Sequence, residues 1–238
     1  MTIKVNTENC DFEQAALWPE ALDSKVILRI EFPGHIPTIQ SKNAVRQALL
    51  QTIQGEIEKF TWICFGPIWI ELRWYIDAAD RQETDAIGDL DNITKPILDS
   101  LTGLNGLFVD DSQIKTICTA WLAKNAATPE NILEVSIAFL NDEVVEKNKL
   151  YFVQYHGPMC FAIDLNPAIE EELKAIRMFS DAKLLQRAFT AQVLEEHGID
   201  LRFHFVASQK DFHRTRLSKI PPFRVYRLDK EKAVGTDG

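Results

Sequence analysis

Hydrophobic and polar residues alternate along several stretches of the first 140 residues, and this pattern predicts β-strands. Residues 25–32 (KVILRIEF) alternate and are rich in β-branched side chains. Residues 61–76 are aromatic and β-branched, with a bend expected at Gly66-Pro67. Two further strands are predicted around 113–122 and 132–140. The spacing of these segments leaves room for helices between the first three strands.

Two stretches have apolar residues at helical spacing. Ser41 is a favoured N-cap residue for a first helix of about eighteen residues, whose apolar face includes Val45. A second helix is predicted at 93–101, where apolar residues recur every three to four positions. The order of elements is βαβαββ, which predicts an α+β fold with a small mixed β-sheet and two helices.

The pattern resumes after residue 150 and predicts a smaller C-terminal α+β appendage. Residues 150–155 (LYFVQY) are typical of a strand. Asn166, followed by proline, predicts one helix start, and Ser180 predicts the cap of a further helix that ends at Gly198. Residues 200–207 alternate as a strand and lead into a basic tail.

Length and composition fit one core with an added small domain. We expect a polar N-terminal arm over 1–24, a main domain over 25–145 and the appendage over 150–238. With 46% hydrophobic and 26% charged residues, the composition is that of a globular protein. The start has no secretory pattern, and the most apolar run, 62–72, is too short to cross a bilayer. The sequence therefore predicts a cytoplasmic protein without a membrane partner.

The net charge is -9, and the charged residues are unevenly distributed along the sequence. This net value does not by itself indicate a nucleic-acid binder, because such surfaces neutralise phosphates. Residues 202–232 nevertheless carry nine basic and three acidic side chains, interleaved with aromatic residues. This tail is typical of a surface that binds phosphates and stacks bases, and it is equally consistent with an arm that packs on the acidic first domain. The basic residues proposed to contact DNA are Arg214, Arg216, Lys219 and Arg224 in the tail, and Lys42 and Arg46 in the first helix. For Lys42 and Arg46 the alternative is that they are solvated helix residues.

Carboxylates are concentrated between residues 85 and 111, and three of them are candidate metal ligands. Asp89 and Asp91 are two residues apart in a segment expected to be extended just before the second helix, so both side chains should point to the same side. The connection that follows the helix is long enough to bring Asp111 back to the helix start. Three adjacent carboxylates repel one another unless a cation neutralises them, and their oxygen atoms suit Mg²⁺, with Mn²⁺ as an alternative. Lys95 is one helical turn beyond Asp91. Metal and lysine together predict phosphodiester hydrolysis, whereas helix caps and a surface ion pair are the structural alternative.

The spacing of two sequence blocks resembles the signature of RusA-type Holliday junction resolvases. The first block is DLDNITKPILDSL (89–101) and the second is VDDSQ (109–113). The resemblance implies a metal-dependent, homodimeric endodeoxyribonuclease that nicks opposing strands of a four-way DNA junction, in a bacterial or phage context. Carried over by position, Asp89, Asp91 and Asp111 would bind the metal and Lys95 would be the catalytic lysine.

The resemblance leaves two alternatives for the function. The chain could be a binding or regulatory module that acts through its C-terminal part, which the low net charge and the extra segment favour. It could also be a nuclease for another branched or flapped DNA.

Overall fold

The computed structural model describes residues 1–10, 23–34, 36–83, 89–125, 130–140, 143–201 and 211–228. Contacts between residues divide the chain into two compact units, Met1–Val144 and Val145–Gly238. Each unit has its own sheet and its own group of buried apolar side chains. The boundary falls inside the charged segment 141–149.

The first unit is an α+β fold built on a five-stranded sheet. Its elements are β1 (Thr2–Glu8), β2 (Asp23–Phe32), α1 (Asn43–Ile57), β3 (Trp62–Cys64), β4 (Ile68–Ile76), α2 (Ala78–Glu83), α3 (Leu90–Leu101), β5 (Ile114–Ala123) and β6 (Asn131–Leu140). The strand order in the sheet is β1-β2-β6-β4-β5. β4 and β5 run parallel, and the other neighbours are antiparallel. A parallel pair requires a crossover connection, and this crossover carries α2, α3 and a 3₁₀ turn. The mixed sheet of an α+β fold predicted from the sequence is confirmed.

One face of the sheet is covered by α1 and α3. Along β4, buried and more accessible residues alternate, as expected for a strand with one covered face. α1 contributes Leu49, Ile53 and Ile57 to the core, and α3 contributes Ile93 and Ile97. These side chains form one continuous core with the inner face of the sheet. The packing fixes the start of α3, where the acidic residues lie.

Residues 2–8 form a strand and not the loose arm that the sequence predicted. β1 pairs antiparallel with β2, from Thr2 opposite Glu31 to Glu8 opposite Lys25. Its side chains are mostly polar, so its apolar pattern is weak, and pairing with β2 gives it order that its own sequence does not indicate. Residues 11–22 of the predicted arm lie outside the described residues, and its last two residues, Asp23 and Ser24, begin β2.

α1 is shorter than predicted and begins one residue later. Lys42 is its N-cap residue, and the helix has 15 residues from Asn43. Ser41 does not cap the helix, because its hydroxyl accepts a hydrogen bond from Thr38 N at 2.9 Å in the preceding turn. Val45, predicted on the buried face, is 45% exposed.

The second unit contains a four-stranded sheet and one long helix. Its elements are β7 (Val144–Glu146, at the boundary), β8 (Tyr151–His156), β9 (Met159–Ile163), α4 (Glu170–His197), β10 (Asp211–His213), β11 (Val225–Arg227) and the 3₁₀ turns Arg214–Leu217 and Pro222–Arg224. The sheet order is β10-β9-β8-β11, with β11 parallel to β8 and the other pairs antiparallel. The C-terminal part is therefore α+β as well.

α4 is one continuous helix of 28 residues and not the two helices that the sequence predicted. Ser180 lies inside it and donates a hydrogen bond to the carbonyl of Ile176 at 2.8 Å, as serine does within helices. Asn166 lies in a turn before the helix, which begins at Glu170. The predicted end is correct, because Gly198 terminates the helix in the left-handed conformation, with φ 67°.

A buried ion pair connects α4 to β10. Lys183 Nζ lies 2.8 Å from Asp211 Oδ1, and the two side chains are 5% and 1% exposed. The ammonium group also lies 5.5 Å from the ring centroid of Tyr155. Burial and the hydrogen bond from its hydroxyl to Asp211 raise the pKa of Tyr155. A buried pair of this kind is strongly destabilised by removal of one partner.

Two expectations concern the remaining chain. The predicted strand at 200–207 lies almost entirely outside the described residues. Within the parts of the chain that the structure describes, no helix combines the length and apolarity needed to cross a membrane.

Candidate active site

The first acidic block lies at the start of α3. Asp89 precedes the helix in an extended conformation, with φ −60° and ψ 158°, and its carbonyl accepts a hydrogen bond from Ile93 N at 3.2 Å. Asp91 follows in the first turn. Both residues are exposed, and among the described residues neither carboxylate has a hydrogen-bond or ion-pair partner. Negative charge is favourable at a helix N-terminus, so two acceptor groups are held where a cation from solvent can reach them.

Pro96, inside α3, connects this helix start to the loop before α1. Proline has no N–H group, so it gives no helical hydrogen bond to the carbonyl of Asn92, four residues earlier. That carbonyl instead accepts a hydrogen bond from Ile39 N at 2.9 Å. The loop that leads into α1 is thereby attached to the first turn of α3.

The same attachment places two basic residues near the acidic helix start. Lys42 is three residues beyond Ile39, so its backbone lies within about 11 Å of the contact with α3. Arg46 lies one helical turn further along α1. Both residues are exposed, and neither has a carboxylate partner within the described part of the chain. Their charges are therefore available to a phosphate group.

Lys95 connects α3 to the second acidic block. Its ammonium Nζ lies 2.9 Å from Asp99 Oδ1, one helical turn further along, and 2.9 Å from Asp111 Oδ2. Partial burial lowers the pKa of Lys95, but the hydrogen bonds and charges of Asp99 and Asp111 outweigh this effect and hold the pKa above its usual value. Lys95 is therefore a fixed positive charge at neutral pH.

Gln113 holds the second acidic block in position. Its side-chain Oε1 accepts hydrogen bonds from Val109 N at 2.7 Å and Asp110 N at 2.9 Å. Its Nε2 donates to the carbonyls of Cys64 at 3.1 Å and Gly66 at 2.7 Å. The side chain of Asp110 in turn caps the 3₁₀ turn 111–113. Because Gln113 is buried and all four bonds go to backbone groups, it fixes the turn to the connection between β3 and β4.

The loop from α3 to this turn depends on a close approach at Gly106. A Cβ atom added there would lie 2.1 Å from the carbonyl oxygen of Leu101, a backbone atom that cannot move aside alone. Leu107 N donates to the same carbonyl at 2.8 Å. Only glycine allows the chain to turn back this closely after the helix.

Lys95 connects Asp111 to α3, but the three predicted metal ligands do not form a ligand group within the described residues. Among the described residues, no three His, Cys, Asp or Glu side chains are arranged to hold a metal ion. Asp89 and Asp91 are at the helix start, while Asp111 is bound to Lys95. The donor chemistry nevertheless fits Mg²⁺, because all three are carboxylates and two of them lack partners among the described residues. A metal site here stays a prediction.

Two residues of this site were not singled out as functional from the sequence. Asp99, the second partner of Lys95, is four residues after it, a spacing that indicates an ion pair on any helix. Gln113 belongs to the DDSQ pattern, but its role depends on burial and on partners 47 and 49 residues away, so only the fold shows it.

The predicted DNA-binding residues of the tail have different environments. Arg224 is bound within the second unit, where its guanidinium donates to the carbonyl of Asn148 at 2.6 Å and lies 4.7 Å from the ring centroid of Tyr151. Arg214 lines a cavity in the second unit. Arg216 and Lys219 are exposed and do not line it.

Comparison with known proteins agrees with the sequence blocks. Residues 37–138 match the model of the family described as endodeoxyribonuclease RusA. No match was found among curated proteins. The matched segment begins in the loop that contacts α3 and ends in β6, so it contains the acidic helix start, Lys95 and the turn fixed by Gln113. This segment is therefore RusA-like, and residues 1–36 and 139–238 lie outside the match.

Proposed function

We propose that the chain is a Mg²⁺-dependent endodeoxyribonuclease that cleaves branched DNA and resolves four-way (Holliday) junctions in recombination and repair. The observation that carries the proposal is the contact of Lys95 with Asp111, which joins the two blocks of the motif. The family match supports nuclease chemistry. The carboxylates at the start of α3, which have no partner among the described residues, support a divalent cation as cofactor.

In this proposal Asp89, Asp91 and Asp111 hold the metal ion. The chemistry that Mg²⁺ would supply when bound there is polarisation of a phosphodiester oxygen and activation of water. Lys95 is already protonated and fixed by two carboxylates, so its charge can offset the negative charge that develops on the phosphate in the transition state. Because Gln113 positions the turn that carries Asp111, it acts as a positioning residue.

Exposed basic residues of both units are proposed to hold the DNA backbone. Lys42 and Arg46 lie near the acidic helix start and have no carboxylate partner among the described residues. In the tail, Arg214, Arg216 and Lys219 are the exposed candidates, whereas Arg224 contributes to the fold of the second unit. Contacts of this kind give affinity that falls steeply with salt.

We also propose that the chain acts as a homodimer. β5 is an edge strand of the first sheet, and its Ile117 and Leu122 are 46% and 40% exposed. Unpaired edges with exposed apolar side chains favour association with another strand. A two-fold dimer would present two sites to the two-fold arrangement of a four-way junction.

Light scattering should give the mass of a dimer, and Ile117→Lys should convert it to a monomer. A wild-type monomer at micromolar concentration would contradict this part of the proposal.

The substrate is tested with a panel of labelled DNAs incubated with Mg²⁺. We expect paired nicks on opposing strands of a four-way junction, and much slower cleavage of flap, fork and linear duplex DNA. Asp181→Asn, an exposed carboxylate-to-amide change on α4, serves as the matched control for Asp91→Asn. Equal cleavage of all DNAs would contradict junction selectivity, and binding without any cleavage would contradict the nuclease assignment.

A further inference from the structure

The second unit contains an open cavity of about 700 Å³ between its 3₁₀ turns and β11. This volume lies within the usual range of sites for small organic ligands. Leu217 and Ile220 are buried and line it together with Val225, so part of the wall is apolar. The other lining residues are polar, aromatic or proline: Arg214, Thr215, Ser218, Pro222, Tyr226 and Arg227.

Arg214 and Arg227 distinguish this cavity from the rest of the unit. Both are exposed, and neither guanidinium has a hydrogen-bond or ion-pair partner within the described residues. Three lysines of the unit are paired with carboxylates: Lys183 with Asp211, Lys174 with Glu170 and Lys149 with Glu146. Among the described residues, the two arginines therefore form a positive rim without a carboxylate at ion-pair distance.

Arg214 and Arg227 line the same cavity. Arg214 is fixed through its backbone, because its N–H donates to the carbonyl of Pro158 at 2.7 Å. Two guanidinium groups that line one cavity are well suited to binding a phosphate group.

The aromatic and apolar wall adds a second requirement for the ligand. A nucleobase can stack on a tyrosine ring and bury its faces against apolar side chains. Tyr226 is half-buried in the cavity wall beside Arg227. A ligand that matches the whole cavity therefore carries a phosphate and a flat ring, which is the chemistry of a nucleotide.

We propose that this cavity binds one nucleotide of an unpaired DNA strand, with its phosphate between Arg214 and Arg227 and its base against Tyr226 and the apolar wall. The inference rests on the proposed function, since a branched substrate can present an unpaired strand. The cavity is open and not enclosed, so a continuous strand can enter and leave it. The second unit thereby contributes a DNA contact separate from the residues that cleave.

The test measures binding of a labelled thymidine oligomer of about 12 nucleotides, a length within the range that single-strand sites cover. The full chain carries Asp91→Asn, and Mg²⁺ is omitted, so that the DNA stays intact. The test variant adds Arg214→Gln and Arg227→Gln, and the control adds Lys149→Gln and Lys174→Gln, which remove the same charge from exposed residues outside the cavity.

We expect the arginine variant to bind about tenfold or more weakly, while the control stays within about twofold of the parent. The slope of log affinity against log salt should fall by about 0.7 in the arginine variant, because the single phosphate held between the two arginines contributes about 0.7. Tyr226→Leu should weaken binding about fivefold or more without changing that slope, since stacking does not release counterions. Equal affinity and slope in the parent and the arginine variant would overturn the proposal.

Two further arms separate the sources of the ligand. Thymidine 5′-monophosphate should compete with the oligomer, whereas inorganic phosphate at the same concentration should compete much less. If the monophosphate binds through the two arginines and the oligomer does not bind, the cavity takes free nucleotides and the strand assignment is overturned. Cleavage of a four-way junction by the wild-type chain is measured separately. Arginine-dependent binding without cleavage contradicts the proposed function alone, and cleavage with arginine-independent binding contradicts this inference alone.

Discussion

Replacement of Gln113 by leucine tests how the second acidic block is held. The substitution keeps a side chain of similar size and removes all four hydrogen bonds of the amide. Three of the four are buried: those with Val109 N, Cys64 O and Gly66 O. A buried backbone group that loses its partner costs about 1 kcal/mol or more. We therefore expect the free energy of unfolding of the first unit to fall by about 3 kcal/mol.

Tryptophan fluorescence follows this unfolding selectively, because all 5 tryptophans of the chain lie before residue 145. For a unit of this size, a loss of about 3 kcal/mol lowers the midpoint temperature by roughly 10 °C. Gln51→Leu is the matched control, since Gln51 is exposed on α1 of the same unit. It should change stability by less than about 0.5 kcal/mol. If Gln113→Leu also changes the free energy by less than about 0.5 kcal/mol, the reasoning about the buried amide is refuted.

Three further changes test other parts of the account. Gly106→Ala should lower the unfolding midpoint of the first unit, because the added Cβ would lie 2.1 Å from a backbone oxygen. Gly55→Ala in α1, where an added Cβ meets nothing within 4 Å, should instead raise stability by about 0.5–1 kcal/mol. Equal effects of the two variants in fluorescence-monitored unfolding would contradict the clash. Pro96→Ala adds an N–H group that can donate to the carbonyl of Asn92 and compete with Ile39 N for it. The amide of Ile39 should then exchange its hydrogen faster. Unchanged protection of this amide would show that other contacts hold the loop. Burial raises the pKa of the Cys160 thiol to about 11, whereas the thiol of the unfolded chain ionises near pH 9. The free energy of unfolding should therefore fall from pH 9 to pH 11. Urea titrations at each pH should show a smaller fall for Cys160→Ala.

The elements of the first unit were predictable where the apolar pattern is strong. β4 alternates along its whole length, β6 alternates from Leu133 onwards, and α3 has a clear apolar face, so their positions follow from the sequence. β1 was not predictable, because its polar side chains give little pattern and its order comes from pairing with β2. Ser180 was misinterpreted as a cap because a serine within a helix and a serine at its start have the same local chemistry.

The candidate site shows the same division. The residue types and spacing of Asp89, Asp91, Lys95 and Asp111 were visible in the sequence, and the fold brings Lys95 and Asp111 together. The roles of the supporting residues were not visible. Gln113 and Pro96 act through backbone groups that are distant in the sequence, and such partners appear only when the chain has folded.

We propose that the carboxylates of the acidic motif support metal-dependent cleavage of branched DNA. The most direct test of this is single-turnover cleavage of a labelled four-way junction in Mg²⁺, with EDTA added in a parallel reaction. The account predicts paired nicks by the wild-type chain and by Asp181→Asn, and a rate at least about a hundredfold lower for Asp91→Asn and with EDTA. Cleavage by Asp91→Asn at the wild-type rate, or cleavage that persists in EDTA, would contradict the account.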